Sequence, residues 1–444
     1  NTTGTENVAV GMNSLPANTT GNYNTAIGGR NTLFANTTGS DNTAVGRGSL
    51  QENTTGSYNT ATGYGSLLAN TTASYNDGFG RYSLKENTTG QQNVAMGGDA
   101  LRANTTASYN TAVGYAALTI NTTGANNVAL GWKALRNNTT GSNNTAHGYG
   151  ALYTNTTASA NVAVGFNSLY YNTTGTGNGA FGYQALHSST TATQNTAVGT
   201  NSLYANSTGS YNTASGRDSL RHNTTGQQNT ASGYAALQAN TTGDYNSAFG
   251  KGALETTTTG HSNTAIGVGA GHNVTTGDYN ITIGRDATVA SASADNQLNI
   301  GNWIKGNAGQ ITMPNQPVFH VGRSSGDVSS AGTYICNYEY ADVGNNHNNS
   351  TGIFTAPITG LYFITVQMMS NNAGAITNKS YHLKVNGSMY KDIYGSTPAG
   401  HAQYQWSGAI SLSANDTVNV HATGDFPIYG NSHAYSTFSG FLIG

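Results

Sequence analysis

Asparagine returns at one fixed phase along two thirds of this chain. Asn7, Asn24, Asn42 and Asn59 open a series that ends at Asn280, with 17 members spaced 17 residues apart and one 18-residue step between Asn24 and Asn42. A Thr stands four residues before every member, and a Gly stands four after it (Gly11, Gly28, Gly46, Gly63 and onward). A short, strict period describes a stack of like units, each touching only its neighbours. It argues against an enzyme-like globular core over residues 1–287.

The consensus is N-T-T-G-x-x-N-T-A-V-G-x-x-x-L-x-x. Seventeen residues are too few for a helix pair, and Gly and Asn are poor helix formers. The N-T-A-V-G phrase therefore predicts a short β-strand and N-T-T-G a turn. The Gly after the strand is expected to take a corner with φ > 0. The repeated Asn amides are expected to bond one another along the axis. Asn7, Asn24, Asn42, Asn59, Gly11, Gly28, Gly46 and Gly63 thus head the expected structural ladder. At one strand spacing of about 4.8 Å per repeat, the array would be roughly 80 Å long.

The Leu eight residues after the Asn persists to Leu254 and is replaced by Gly271, where the array is expected to fray. Each repeat offers one Leu, one Ala and one Val-like residue for burial. That stripe is thin beside the entropy of ordering 17 residues, which predicts abutting or intertwined chains.

Charged residues make up 8% of the chain and the net charge is −2. Neither points to nucleic acid or to a membrane surface. Low charge with low hydrophobicity would suit a disordered chain, but disorder gives no reason for constant phase. Cys336 is the single cysteine, so no intrachain disulfide can form. No apolar run approaches 18 residues, so no membrane insertion is expected. The first residues, Asn1-Thr2-Thr3-Gly4, are already in phase, so an anchoring segment and its partner are expected outside this sequence.

Three parts follow: the array at 1–287, a transition at 288–317 and a different composition at 318–444. In the transition, Leu298 to Ile304 alternates like a strand, and Pro314 and Pro317 close it. Beyond it, alternating runs such as Leu361–Val366 and Thr417–Val420 are separated by turn clusters. That pattern predicts an antiparallel sandwich or jelly roll. The fold class is thus all-β, a β-solenoid or β-roll shaft followed by a jelly-roll sandwich.

Two resemblances add to this reading. The phrase Asn110-Thr111-Ala112-Val113-Gly114-Tyr115-Ala116-Ala117-Leu118, followed by Asn121-Thr122-Thr123-Gly124, resembles the repeats of phage tail-fibre proteins and related trimeric adhesins. The run Thr351-Gly352-Ile353-Phe354-Thr355-Ala356-Pro357-Ile358-Thr359-Gly360-Leu361-Tyr362-Phe363 resembles the C1q/TNF-like family. Leu412, Asp416-Thr417-Val418 and the terminal run from Ser436 to Gly444 follow in that family's order. The second resemblance implies a jelly roll that forms tight homotrimers, with its last strand at the trimer centre. No Gly-X-Y collagen stem precedes it.

Several features admit a functional and a plain structural reading. The Asn-Thr-Thr triplets at Asn18, Asn36, Asn53 and onward are formal N-glycosylation sequons. They read better as turns in which Asn caps its own backbone. Ser189 and Thr257 replace that Asn without loss of phase. Two Thr columns could make an ice-binding face, but the corner that follows argues against a broad flat one. Bulky residues after the repeat Gly, including Tyr64, Tyr115, Trp132, Tyr149, Phe166, Tyr183 and Tyr234, could stack carbohydrate or shield the ladder, and shielding is the simpler reading. His147 sits in a usually apolar slot. Cys336, in the strand-like run Tyr334–Tyr338, reads as a buried small residue.

No paired acids, nucleophile elbow or phosphate loop stands out, so no enzyme activity and no cofactor are expected. Asp342, Asp392, Asp416 and Asp425 are scattered, and no metal is expected. The expected function is a homotrimeric fibre whose tip attaches to a host-cell glycan or protein receptor, as a virion appendage or at an extracellular surface. The alternative is an adhesin or surface filament assembled through the array. Expected contact residues are Tyr394 and His401 in the loop from Lys391 to Gln403, and Tyr429 and His433 in the loop from Gly424 to Tyr435.

Overall fold

Three residues of every repeat form a strand, and each strand lies on the next in parallel and in register. The strands run from Val8–Val10 to Ile281–Ile283. Ala44 pairs with Ala61, and that pairing recurs along the stack. The protein was analysed as a computed structural model, which describes all residues except 308–309, 313–315, 323–331, 337, 371–379, 394, 397–401, 424–435 and 444. The chain divides into two compact units, Asn1–Ile311 and Thr312–Gly444.

A rung closes on itself because its corners use left-handed backbone. In the rung of Asn59 these corners are Gly63 (φ 129°), Gly65 (φ 63°), Leu67 (φ 50°) and Tyr75 (φ 60°). A Cβ on Gly63 would stand 2.6 Å from Gly80 O and 2.7 Å from its carbonyl carbon. Both the angle and the contact therefore demand glycine at that corner. Leu67 accepts a left-handed conformation that costs roughly 1–2 kcal/mol. In return its side chain is fully buried and its N–H reaches Ser83 O at 2.9 Å.

The core is intrachain. Leu33, Leu50, Leu67 and their successors pack with Ala26, Ala44 and Ala61 in one continuous cluster. The Val-like position after the Ala, read above as part of the buried stripe, faces outward: Ile27, Phe79, Met96 and Leu130 are all exposed. Strand alternation sends the Ala inward and its two neighbours out. This placement also explains His147, which lies on the outer face. The core therefore closes within one chain, and any contact between copies falls on the outside.

The 18-residue step is absorbed at one corner. Gly28 and Gly29 occupy it, and Gly28 is the repeat glycine without positive φ. Beyond it, Thr25 still pairs with Thr43, and Leu33 N–H still reaches Ser49 O at 2.9 Å.

The expected fraying does not occur. Gly271 takes the left-handed place of the Leu (φ 64°), and the stack continues. The segment read as one strand from Leu298 to Ile304 is a further rung and its return. Gln297–Ile300 pairs in parallel with Ile281–Ile283, and Ile304–Asn307 folds back antiparallel onto Gln297–Ile300. This return strand covers an edge that would otherwise stay unpaired.

The second unit is a sandwich of two sheets. One sheet runs in the order Tyr338–Val343, Val318–Gly322, Thr437–Leu442, Gly360–Ser370, Ala402–Leu412, Gly395–Ser396. The other runs His347–Asn348, Ile353–Thr355, Thr417–Ala422, Tyr381–Val385, Ser388–Ile393, with Gly332–Thr333 also on Thr417–Ala422. Phe319, Phe354, Tyr362, Ile364, Tyr381, Val418 and Phe438 fill the space between them. Cys336 is buried there, and Tyr334 N–H donates to Val420 O of the strand Thr417–Ala422 at 2.7 Å.

Candidate functional site

Two amide columns run along the array, one from Asn7 to Asn280 and the other from Asn1 to Asn240 with a break where Ser189 replaces Asn. In the strand column, Asn24 N–H donates to Asn7 Oδ1 at 2.9 Å, and Asn42 and Asn59 repeat the contact. The second column is made by the sequon asparagines. Asn36 Nδ2 donates to Asn18 Oδ1 and to Gly39 O, each at 2.9 Å. Gly39 O also accepts Asn24 Nδ2 at 2.9 Å, so one carbonyl joins both columns. Gly56 and Ala73 repeat this bridge. Asn24, Asn36, Asn42, Asn53 and Asn59 have no exposed surface. The second column was read from sequence as local turn caps. Its bonds along the axis went unread, although its 17-residue spacing carries the same signal as the first.

The Thr columns are unequal. The first Thr of each triplet donates its hydroxyl to the next rung, as Thr37 Oγ1 does to Thr54 O at 3.1 Å, and only the second lies exposed. One of the two hydroxyl columns is therefore consumed by the fold.

Four of the seven bulky outer positions named above form a ring ladder. Trp132, Tyr149, Phe166 and Tyr183 stack at centroid distances of 4.4, 5.1 and 5.4 Å. A parallel file of Tyr153, Tyr170, His187 and Tyr204 stacks at 4.9, 5.7 and 5.0 Å. Lys133 Nζ covers the Trp132 face at 3.8 Å. Burial in this file pushes the His187 imidazole pKa down. Sugar stacking requires an open ring face, and these faces are turned on one another. The groove between the files, about 310 Å³, is therefore walled by ring edges.

In the sandwich, strand register sorts the connections by end. Val318, where the chain enters, pairs with Phe441, and that end carries the tight Asn386-Gly387 turn (φ 50° and 77°) and the Ser413–Asp416 turn. The opposite end carries the strand termini that bound the longer connections. Ser370 pairs with Ala402, Tyr381 with both Ile393 and Ala422, Gly322 with Thr437, and Gly332 with Ala422. Segments 323–331, 371–380, 394–401 and 423–436 thus all start and finish at the end away from Val318. Tyr394, His401, Tyr429 and His433 fall in two of these segments and lie outside the described residues.

The carboxylates do separate structural work. Asp342 accepts the N–H groups of Asn346 and His347, each at 2.9 Å. Asp416 accepts Asn386 Nδ2 and Ser413 N–H, each at 2.7 Å, and these bonds hold its pKa below the usual carboxylate range. Asp392 lies 2.9 Å from His382 Nε2, and Ser380 Oγ meets that same nitrogen at 2.8 Å. A nucleophilic triad needs Ser and Asp on opposite ring nitrogens, so this trio is not one. Among the described residues no group of three or more His, Cys, Asp or Glu could hold a metal. His347 is 5% exposed, lies against Phe319 and Phe438, and has its pKa lowered by burial.

Residues 318–443 match the family model described as C1q domain. Among curated proteins, the chain is similar to Complement C1q tumor necrosis factor-related protein 3 of Homo sapiens, with 29% identity over 110 residues, 23% of this chain and 41% of that protein. The Mus musculus protein of the same name is 29% identical over 103 residues. The chain thus spans 41% of the length of these relatives. Among solved structures, the globular domain of zebrafish complement 1qA covers 29% of this chain and 98% of its own at 18% identity and a TM-score of 0.24. Murine APRIL covers 29% and 99% at 11% identity and a TM-score of 0.24. This chain joins a β-solenoid of 17-residue turns to a C-terminal C1q jelly-roll domain.

Proposed function

We propose that this protein is an attachment fibre of the phage tail-fibre type. Three copies assemble, the solenoid gives reach, and the C1q domain binds a glycan or protein receptor on a host-cell surface. Its place is a virion appendage or another extracellular surface, held by an anchoring partner N-terminal to the array. The mechanism is binding without chemistry, and three like tips convert weak contacts into avidity.

The observation that carries this reading is the register of the sandwich. Four connecting segments are bounded at the end away from the chain's entry at Val318. Loops grouped on a rigid sandwich suit recognition. C1q domains are ligand-binding modules that typically form trimers, and the outward Phe363 and Phe441, 5.7 Å apart, offer an apolar face for such contacts.

The test replaces residues 424–435 with a Gly-Ser linker of equal length in the full chain. Binding of the purified protein to target cells, and its ability to block attachment, should be lost while the assembly stays intact. Retained binding would overturn the assignment of recognition to these loops.

A further inference from the structure

We infer that the strand face of the solenoid is the seam along which copies of this chain meet. The inference rests on the proposed assembly and adds where it is made. Each strand places its middle residue, Ala in 15 of 17, inward and its two neighbours outward, so 17 rungs present 34 outward positions. Asp77 is the sole Asp, Glu, Lys or Arg among them. The position after the Ala is apolar in 13 of 17 rungs. Phe79, Met96, Leu130, Phe181, Phe249 and Ile266 there are 38 to 45% exposed.

Other sides of the rung differ. The position after the repeat Gly carries Arg47, Arg81, Arg217, Lys251 and Arg285. The Leu side carries Glu52, Lys85, Glu86, Arg102 and Arg221. Charge is thus placed beside the strand face and kept off it, which is the pattern of an interface core and its rim.

The size also fits. Three strand residues at about 3.3 Å and 17 rungs at about 4.8 Å give ~800 Å² per chain. The face as a whole, its strand Thr residues included, thus has the ~800 Å² per partner that a stable interface uses. The occupant is a second copy of this chain, because only a partner with the same rung spacing can match the face along its whole length.

Single cysteines test the seam in the full chain, where the native Cys336 is buried. Met96→Cys and Ile266→Cys lie on the strand face, and Thr89→Cys and Thr259→Cys lie on the exposed Thr column of neighbouring surface. Light scattering gives the mass of each protein, and maleimide labelling gives the accessibility of each thiol. In an assembled protein, the strand-face thiols should label about tenfold more slowly than the Thr-column thiols. Loss of assembly confined to the strand-face variants would also support the seam. Equal labelling rates in an assembled protein would overturn the seam and leave the assembly standing. A wild-type mass of 45.7 kDa would overturn both.

Discussion

Asn42 donates both its backbone N–H and its side-chain amide to Asn24 Oδ1, each at 3.1 Å. One buried oxygen therefore satisfies two donors of the next rung, and Asn24 Nδ2 in turn satisfies Gly39 O. No other side chain offers an acceptor and two donors in so compact a shape. The cost of burying a polar side chain is offset where both ends of the amide are bonded in this way, as at Asn42 and Asn59.

The same geometry sets the effect of losing one amide. Asn127→Ala should leave Asn144 N–H without its acceptor, take from Gly141 O one of its two amide donors and open a small void. About 2–3 kcal/mol of local stability should be lost, seen as faster hydrogen exchange in the rungs flanking residue 127. Asn127→Asp should be worse at neutral pH than at acid pH, because an ionised carboxylate would face Gly141 O. Unchanged exchange around either variant would contradict the amide column.

Two glycines in one repeat should respond to different extents. Gly131 has φ 136°, and a Cβ there would lie 2.6 Å from Gly148 O. Gly131→Ala should cost about 3 kcal/mol or more. Gly124 lies in the position that Ala73, Ala107 and Ala158 fill elsewhere, each accepting the same amide bond. A Cβ on Gly124 would meet Gly141 O at 2.2 Å, but φ there is not positive and Ala stands at this place in other rungs, so Gly124→Ala should cost less than Gly131→Ala. Thermal melts of the two variants compare them directly, and equal melting points would refute the distinction.

Sequon asparagines in the array should carry no sugar in the folded protein. Asn53 and Asn70 are fully buried, and both amide hydrogens of Asn70 are used, on Asn53 Oδ1 and Ala73 O. Peptide mass spectrometry after expression in a glycosylating host should find these residues unmodified in the folded fraction. A folded fraction glycosylated at Asn70 would be incompatible with this column.

The sandwich should lose stability in mild acid. Burial lowers the pKa of His347, and burial with Lys384 and His382 lowers that of His421. The folded state therefore prefers the neutral rings. Their contribution is complete above the unfolded imidazole pKa near 6.5 and declines as pH falls through that value toward the lowered one. Hydrogen-exchange protection factors in Val318–Gly322, which carries Phe319 against His347, should fall from pH 7.5 to 5.0 once the base-catalysed intrinsic rate is divided out. His347→Phe should reduce that pH response, and an unaltered response would show that His347 does not cause it.

The array was legible because its rule repeats. Asn, Gly, Ala and Leu at one phase dictate strand, corner and core, and the parallel register follows from stacking like on like. Sequence periodicity cannot tell which apolar positions face in. The Val-like residue beside each Ala was read as buried, yet strand alternation, fixed once the Ala and Asn are inside, turns it out. The end of the array was obscured for a related reason: Gly271 and Gln297 break the letter pattern while keeping the backbone conformation and hydrogen bonds.

The sandwich was legible as alternating strands, but its candidate site was not. Tyr394, His401, Tyr429 and His433 were chosen by loop composition. The grouping of their segments at one end comes from antiparallel pairings between residues as distant as Gly322 and Thr437. The sequence by itself determined that this protein stacks 17-residue rungs and ends in a sandwich, because local chemistry repeated in phase suffices for both. Only the tertiary structure decided which oxygen each Asn reaches, that the core closes within one chain, and which uncharged face is left outside. Those outcomes depend on residues one rung apart meeting in space, and no single repeat contains that information.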